Sequence, residues 1–202
     1  GNLPATIQQR HRSWLMATAA SLSKTASTKN ICRFWSNCAD ELTQLVCSDV
    51  TEKRNLSKGI ALFALGKWGA EELNLSSDID LLIVCEDSVE DALLISRTLQ
   101  EQLHPPLSDY CFRLDFDLRP GGRFGPIVPI FSQLEDYYGN YGEAWERLAF
   151  VRLRPVWGNK ELLAKVMAFA AKFSFRKHLD FSLLSDLRIL RQRIHSEYWH
   201  RS

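Results

Sequence analysis

What this chain lacks narrows its class first. No stretch of about 18 apolar residues occurs, so no transmembrane helix is expected. No basic segment leads into an apolar one at the start, so no secretory signal is expected. Lysine and arginine number 25 against 24 acids, a net charge of +1, so the basic surplus of a nucleic-acid binder is missing and nucleic acid is not expected as a partner. There is no G-x-G-x-x-G, which excludes the dinucleotide fingerprint. Gly66-Lys67 is no P-loop either, because the preceding glycine, Gly59, lies seven rather than five positions back and Trp68 follows the lysine.

The five cysteines (Cys32, Cys38, Cys47, Cys85 and Cys111) are odd in number and contain no C-x-x-C pair. A disulfide framework or zinc site is therefore not expected, and reduced thiols in a cytoplasmic protein are the simplest reading. The five histidines (His11, His104, His178, His195 and His200) are scattered, so no histidine metal site is expected.

The 202 residues are 46% hydrophobic and 24% charged, a globular mixture long enough to build a core without staples. Helical spacing of Leu, Ile, Trp and Ala predicts helices over 5–24 and 31–48. Short apolar runs predict buried strands at Ile60 to Leu65 and Ile79 to Val84, joined by a polar connector that contains glycine. A helix is expected over 88–104, stopped by Pro105-Pro106, then an alternating segment from Tyr110 to Leu118. Residues 120–126 are a loop. From about 131 to 200 the pattern is helical, with breaks near Gly139–Gly142, Pro155–Asn159 and Ser174–Asp180. The reading is α/β (α+β): N-terminal helices over 1–58, a small mixed sheet over 59–130 and a helical extension over 131–202 that forms one compact unit with it.

Charge singles out one region. Between Lys67 and Arg97 stand eight acids and no base. Two of them, Asp78 and Asp80, flank Ile79 where a hydrophobic strand begins. Residues i and i+2 of a strand share a face, about 6–7 Å apart. Their repulsion is on the order of 3 kcal/mol at an effective dielectric near 20, so stability alone does not place them there. A divalent cation turns that repulsion into binding. Asp115 and Asp117 form a second alternating pair. If the two strands are neighbours, carboxylates converge as metal-assisted phosphoryl or nucleotidyl transfer requires. A salt-bridge ladder of Asp115 and Asp117 with Arg113 and Arg119 is the structural alternative. Tyr137, Tyr138, Tyr141, Trp145 and Trp157 are read as packing core in preference to a base-stacking platform, while Arg147, Arg152 and Arg154 are read either as phosphate-reaching or as solvated.

The run Gly66-Lys-Trp-Gly-Ala-Glu-Glu-Leu-Asn-Leu-Ser-Ser-Asp-Ile-Asp-Leu81 resembles the signature of the glutamine synthetase adenylyltransferase/adenylyl-removing enzymes, of the polymerase-β-type nucleotidyltransferase superfamily. Similarity continues in Arg113-Leu-Asp-Phe-Asp-Leu-Arg-Pro120, Gly125-Pro126, Leu134-Glu-Asp-Tyr-Tyr138, Trp145-Glu-Arg147 and Phe175-Arg-Lys-His-Leu-Asp-Phe-Ser182. The last motif is more similar to the N-terminal, adenylyl-removing half.

The resemblance implies a nucleotidyltransferase fold and metal-dependent adenylyl transfer at a tyrosine of glutamine synthetase. The favoured direction is removal of AMP by phosphate. It implies Asp78, Asp80 and Asp115 as catalytic metal carboxylates for Mg²⁺ or Mn²⁺. Gly66, Lys67 and Ser77 match the phosphate-facing turn, and Arg119 matches an arginine of the Leu-Arg-Pro segment. Implied partners are glutamine synthetase, ADP or ATP, phosphate and PII-type nitrogen regulators, in a cytoplasmic setting of nitrogen regulation. The family usually has glycine where this chain has Ala64 and Ala70, a basic residue at Glu71, and arginine at Asp117. Its members are several times longer, so a domain of a larger protein or a short relative is expected. The alternatives are a non-catalytic binding relative of the fold and a nucleotidyltransferase with another acceptor.

Overall fold

Two strands with almost no polar side chain form the centre of the molecule. In the computed structural model, β1 (Ile60–Ala64) and β2 (Ile79–Cys85) pair antiparallel, with Ile60 opposite Cys85 and Ala64 opposite Leu81. The structure describes residues 2–22, 26–105 and 111–175, with Arg188, Ile189 and Gln192. Every residue of β1 is buried, and in β2 only Asp80 is not. Strands covered on both faces must be apolar on both, which is why they read as unbroken apolar runs.

The pleat divides these side chains between two cores. Ile60, Leu62, Ala64, Ile79, Leu81 and Ile83 belong to one. It is closed by α1 (Leu3–Leu22), α2 (Thr28–Arg54) and α4 (Val89–Leu103). Ala61, Phe63, Leu65, Leu82 and Val84 face the second core. This one is closed by α5 (Phe131–Asn140), α6 (Ala144–Val151) and α7 (Lys160–Ser174). Side chains cap the helices that frame the sheet. Ser27 accepts from the Asn30 amide, Ser88 from the Asp91 amide, and Asn159 from the Glu161 and Leu162 amides, satisfying donors that the first helical turn leaves open.

Two more strands complete the sheet, whose order is β3-β2-β1-β4. β3 (Leu114–Asp115) runs parallel to β2, and β4 (Arg154–Gly158) runs antiparallel to β1. The mixed sheet is as expected, but two details differ. The alternating segment expected to reach Leu118 pairs over two residues only. The Asp115 carboxylate accepts from the Asp117 amide at 2.7 Å, and this local bond turns the chain away from the ladder. Tyr110, where that segment was expected to begin, lies outside the described residues. The expected helix break at Pro155–Asn159 is β4, an edge strand. Pro155 is tolerated there because an edge leaves one backbone face unpaired, and the β1–β4 register shifts between Leu62 and Phe63, beside it. The motif residues 176–182 and, apart from Arg188, Ile189 and Gln192, the expected helix up to 200 lie outside the described residues, as do Ser23 and Lys24 in the expected first helix.

Among the described residues no helix is long and apolar enough to cross a membrane. All five cysteines are free, and four of them are buried. Phe63 is fully buried at the centre of the second core, whereas Met16 is 73% exposed. Phe63→Ala is expected to lower the unfolding free energy by about 3–5 kcal/mol, and Met16→Ala to change it by less than about 0.5 kcal/mol. Urea unfolding of both variants checks the assignment of the centre.

Candidate active site

The polar exception in β2 marks the site. Asp80 and Asp115 are direct partners across the parallel β2–β3 pair. Their neighbours Ile79, Leu81 and Leu114 belong to the first core, so both carboxylates stand on the opposite face, beyond the end of the second core. The main chain fixes this level from both sides: the Leu65 amide donates to the Asp80 carbonyl at 2.9 Å, and the Ile79 amide to the Arg113 carbonyl at 2.9 Å.

Gly66, first residue of the single turn α3 (Gly66–Gly69), lies directly against Asp80. A Cβ at Gly66 would collide with the Asp80 carboxylate, and the backbone there has φ +53°. Both conditions call for glycine. Lys67 follows, exposed, and donates from Nζ to Ser77 Oγ at 3.2 Å. Ser77 in turn donates to Asn74 Oδ1 at 2.8 Å, and Ser76 reaches the same oxygen. Asn74 thus gathers the connector that brings Lys67 and Ser77 to the start of β2.

Electrostatics sets Asp80 apart. Its pKa is raised from 3.8 to about 6, first by burial and then by the charges of Asp115 and Asp78; the Lys67 ammonium offsets part of this. Among the described residues neither Asp80 nor Asp115 makes a salt bridge. Two hard oxygen donors, half-buried and repelling one another, fit a Mg²⁺-like ion that completes its shell with water and substrate phosphate.

The remaining expected site residues are placed differently. Asp78 is ion-paired with Arg113, whose Nε lies 2.6 Å from Oδ1. Among the described residues no three acidic, His or Cys side chains are gathered into a metal cage. Asp80 and Asp115 are therefore brought together as a pair, with Asp78 adjacent and engaged elsewhere. Arg119 is 8% exposed and donates to the carbonyls of Phe116, Arg123 and Gly125 at 2.9–3.1 Å. As placed, it braces the loop after β3. Asp117 pairs mainly with Arg123 at 2.6 Å, Arg119 standing 3.7 Å away. Of the alternative ladder, the Arg119–Asp117 pair is present at 3.7 Å, whereas Arg113 pairs with Asp78 and among the described residues Asp115 makes no salt bridge.

The aromatic segment is core only in part: Tyr138 is buried and packs against Phe150 and Phe173 with ring centroids 4.7 and 4.9 Å apart, and Tyr137 and Trp157 are partly buried, whereas Tyr141 and Trp145 are exposed, against the expectation of packing core. Its arginines are neither free for phosphate nor simply solvated. Arg147 lies over the Phe173 ring, Arg152 faces Glu72, and Arg154 binds Asp40 through both terminal nitrogens. Sequence reasoning missed Asp40, its pairing with Arg154 and the role of Trp68, whose indole donates to Asp40 at 2.8 Å. No local pattern announces partners 114 positions apart.

A small mixed sheet between helical layers, with a glycine turn over paired strand carboxylates, defines a nucleotidyltransferase-like α/β unit. The family model for glutamate-ammonia ligase adenylyltransferase matches residues 7–168. The chain is 30% identical over 213 residues to the bifunctional glutamine synthetase adenylyltransferase/adenylyl-removing enzyme of Pseudomonas aeruginosa, covering 93% of this chain and 22% of that protein. It is 35% identical over 156 residues to the protein of that name from Nitrosococcus oceani, covering 69% of this chain and 16% of the relative. The corresponding figures for the Pseudomonas syringae pv. tomato protein are 36% over 155 residues, 70% and 16%. The chain belongs to the glutamate-ammonia ligase adenylyltransferase family, and it spans about a fifth of the length of these relatives or less.

Because folding raises the pKa of Asp80, the folded state binds the proton more tightly than the unfolded chain does. The penalty is absent below about pH 4, grows as the pH rises towards 6 and is complete above it. Asp80→Asn is therefore expected to raise the melting temperature at pH 7–8 without divalent ions, with the gain vanishing near pH 4. Thermal unfolding across that range checks it; a loss of stability at neutral pH would make Asp80 a structural partner.

Proposed function

We propose that this chain carries a metal-dependent adenylyl-transfer centre acting on a tyrosine of glutamine synthetase, in the direction of AMP removal. The observation that carries the reading is the Asp80–Asp115 pair on one sheet face, with Gly66 pressed against it. The names of the relatives supply the acceptor protein, and the motif resemblance supplies the tyrosine and the direction. Inorganic phosphate attacks the phosphorus of AMP-tyrosine, the bond from phosphorus to the tyrosyl oxygen breaks, the phenol regains a proton and ADP leaves.

In this reading Asp80 and Asp115 hold Mg²⁺ or Mn²⁺, with Asp78 adding negative charge beside them. When bound, the cation offsets charge on the transferring group and orients it for in-line displacement. Lys67 supplies a mobile positive charge for the phosphates. Ser77 holds that ammonium at the mouth of the pair, and the missing side chain of Gly66 lets the turn sit close. Arg119 acts at one remove, by shaping the loop that follows Asp115. A cytoplasmic location and PII-type nitrogen regulators as partners belong to the same proposal.

A second reading has its own support. Asp78 is tied to Arg113 and Asp117 to Arg123, which leaves two acids where a fuller cage would use more. A non-catalytic relative that keeps the fold as a binding module fits that arrangement.

Release of ADP from adenylylated glutamine synthetase, given phosphate and Mg²⁺, tests the proposal. Asp80→Asn and Asp115→Asn are each expected to lower the rate at least about 100-fold, in the range typical of lost electrostatic stabilisation at a reacting centre. Mn²⁺ should raise the melting temperature of the unsubstituted chain and leave Asp80→Asn unmoved, since only binding to the native state shifts unfolding. Absence of any Mn²⁺ effect on the unsubstituted chain would favour the binding module.

A further inference from the structure

Behind the Gly66 turn lies a polar cluster that the proposed chemistry does not touch. Trp68 is fully buried, yet its indole N–H donates to Asp40 Oδ1 at 2.8 Å. Arg154 donates to both oxygens of that carboxylate, at 2.8 and 2.9 Å, and its Nη2 also reaches the Trp68 carbonyl at 3.2 Å. Asp40 and Arg154 are themselves largely buried, with side chains 20% and 23% exposed. Gly69 closes the contact: a Cβ there would collide with the Arg152 carbonyl. Three elements far apart in sequence, α2, α3 and β4, therefore meet on one turn.

Such an arrangement is a poor way to gain stability. Desolvating an arginine and a carboxylate offsets much of their attraction, and apolar residues of similar volume often do as well. What a bidentate pair adds is direction, since the planar fork fits a carboxylate in one orientation. Here that direction is passed to Trp68 through its ring N–H and its carbonyl. The opposite side of the same turn bears Gly66, in contact with Asp80, and Lys67.

We infer that Asp40, Arg154 and Trp68 are positioning residues: a clamp that sets how closely Gly66 and Lys67 sit over the Asp80–Asp115 pair. The inference rests on the adenylyl-transfer reading for its functional consequence, and on geometry alone for its mechanical one. The N-terminal helices are then part of the reacting centre's support, because α2 supplies the carboxylate to which the turn is tied.

The test uses the full chain with three substitutions. Trp68→Phe keeps the ring and removes its N–H. Asp40→Asn keeps an acceptor and removes the charge, and Arg154→Lys keeps the charge and removes the fork. One lost hydrogen bond is expected to move the melting temperature of Trp68→Phe by only about 2–4 °C. Amide exchange at Gly69 and Ala70, which bond to the Leu65 and Gly66 carbonyls, is expected to speed about ten-fold, with Leu62 and Phe63 in β1 unchanged. Affinity for ADP with Mg²⁺ is expected to fall about ten-fold in Trp68→Phe and Asp40→Asn, the usual scale for groups that orient a binding site. Arg154→Lys should lie between these variants and the unsubstituted chain.

Unchanged exchange at Gly69 and Ala70 in all three variants overturns the clamp. A lower melting temperature with ADP affinity held within two-fold overturns its functional role and leaves a purely structural contact. If the unsubstituted chain binds no ADP with Mg²⁺, the transfer reading and the functional half of this inference fall together, while the exchange data still decide the mechanical half.

Discussion

Two carboxylates at the same level of neighbouring parallel strands repel each other, and much of this molecule is arranged to keep them there. The strands that carry them are anchored by apolar side chains on the first core, which fixes the carboxylates on the other face. Main-chain bonds from Leu65 and Ile79 lock the level. Gly66 allows the connecting turn to press on Asp80 where any side chain would clash, and Lys67 brings partial compensation. The cost of holding unpaired charge in a half-buried place is met by the dense core on either side of β1 and β2. Such local conflict between charge and burial is a common mark of functional sites.

The two cores contribute unequally to this arrangement. The first, under α1, α2 and α4, sets the strand register and so the level of the acids. The second, built around Tyr138, Phe150, Phe169 and Phe173, ends short of Asp80 and leaves that end of the sheet face open. Loop and turn then frame the opening. Asn74 organises the segment before β2, and Arg119 organises the one after β3 through three carbonyls. Glu71 and Asp117 each meet an arginine, Arg33 and Arg123. The negative charge at each place is thus offset by a partner from elsewhere in the chain.

The central hairpin and the acid pair were legible in the sequence for physical reasons. Strands buried on both faces leave unbroken apolar runs, and an aspartate inside one is conspicuous at period two. The long Gly66–Leu81 motif added a family resemblance that local patterning alone could not. β4 was hidden because Pro155 argues against a strand unless the strand is known to be at an edge. β3 was overextended because alternation from Leu114 to Leu118 says nothing of the Asp117 amide turning back onto Asp115. The Asp40–Arg154 pair left no trace, since Asp40 is an ordinary charged residue and Arg154 shows no partner until the fold brings α2 and β4 together. Arg119, an attractive phosphate ligand by motif, is occupied by carbonyls that only the folded loop presents.

The shortness of β3 has a consequence for how the molecule comes apart. β1 and β2 share five register pairs, whereas β3 joins β2 through two. Detaching Asp115 therefore breaks a ladder of two pairs, while Phe112 and Phe116 on either side of it remain buried in the first core. So short a ladder gives little resistance to opening by itself, and the hold on the segment comes from those two buried rings. The level of Asp115 then depends on the packing behind the strand as much as on its pairing with β2.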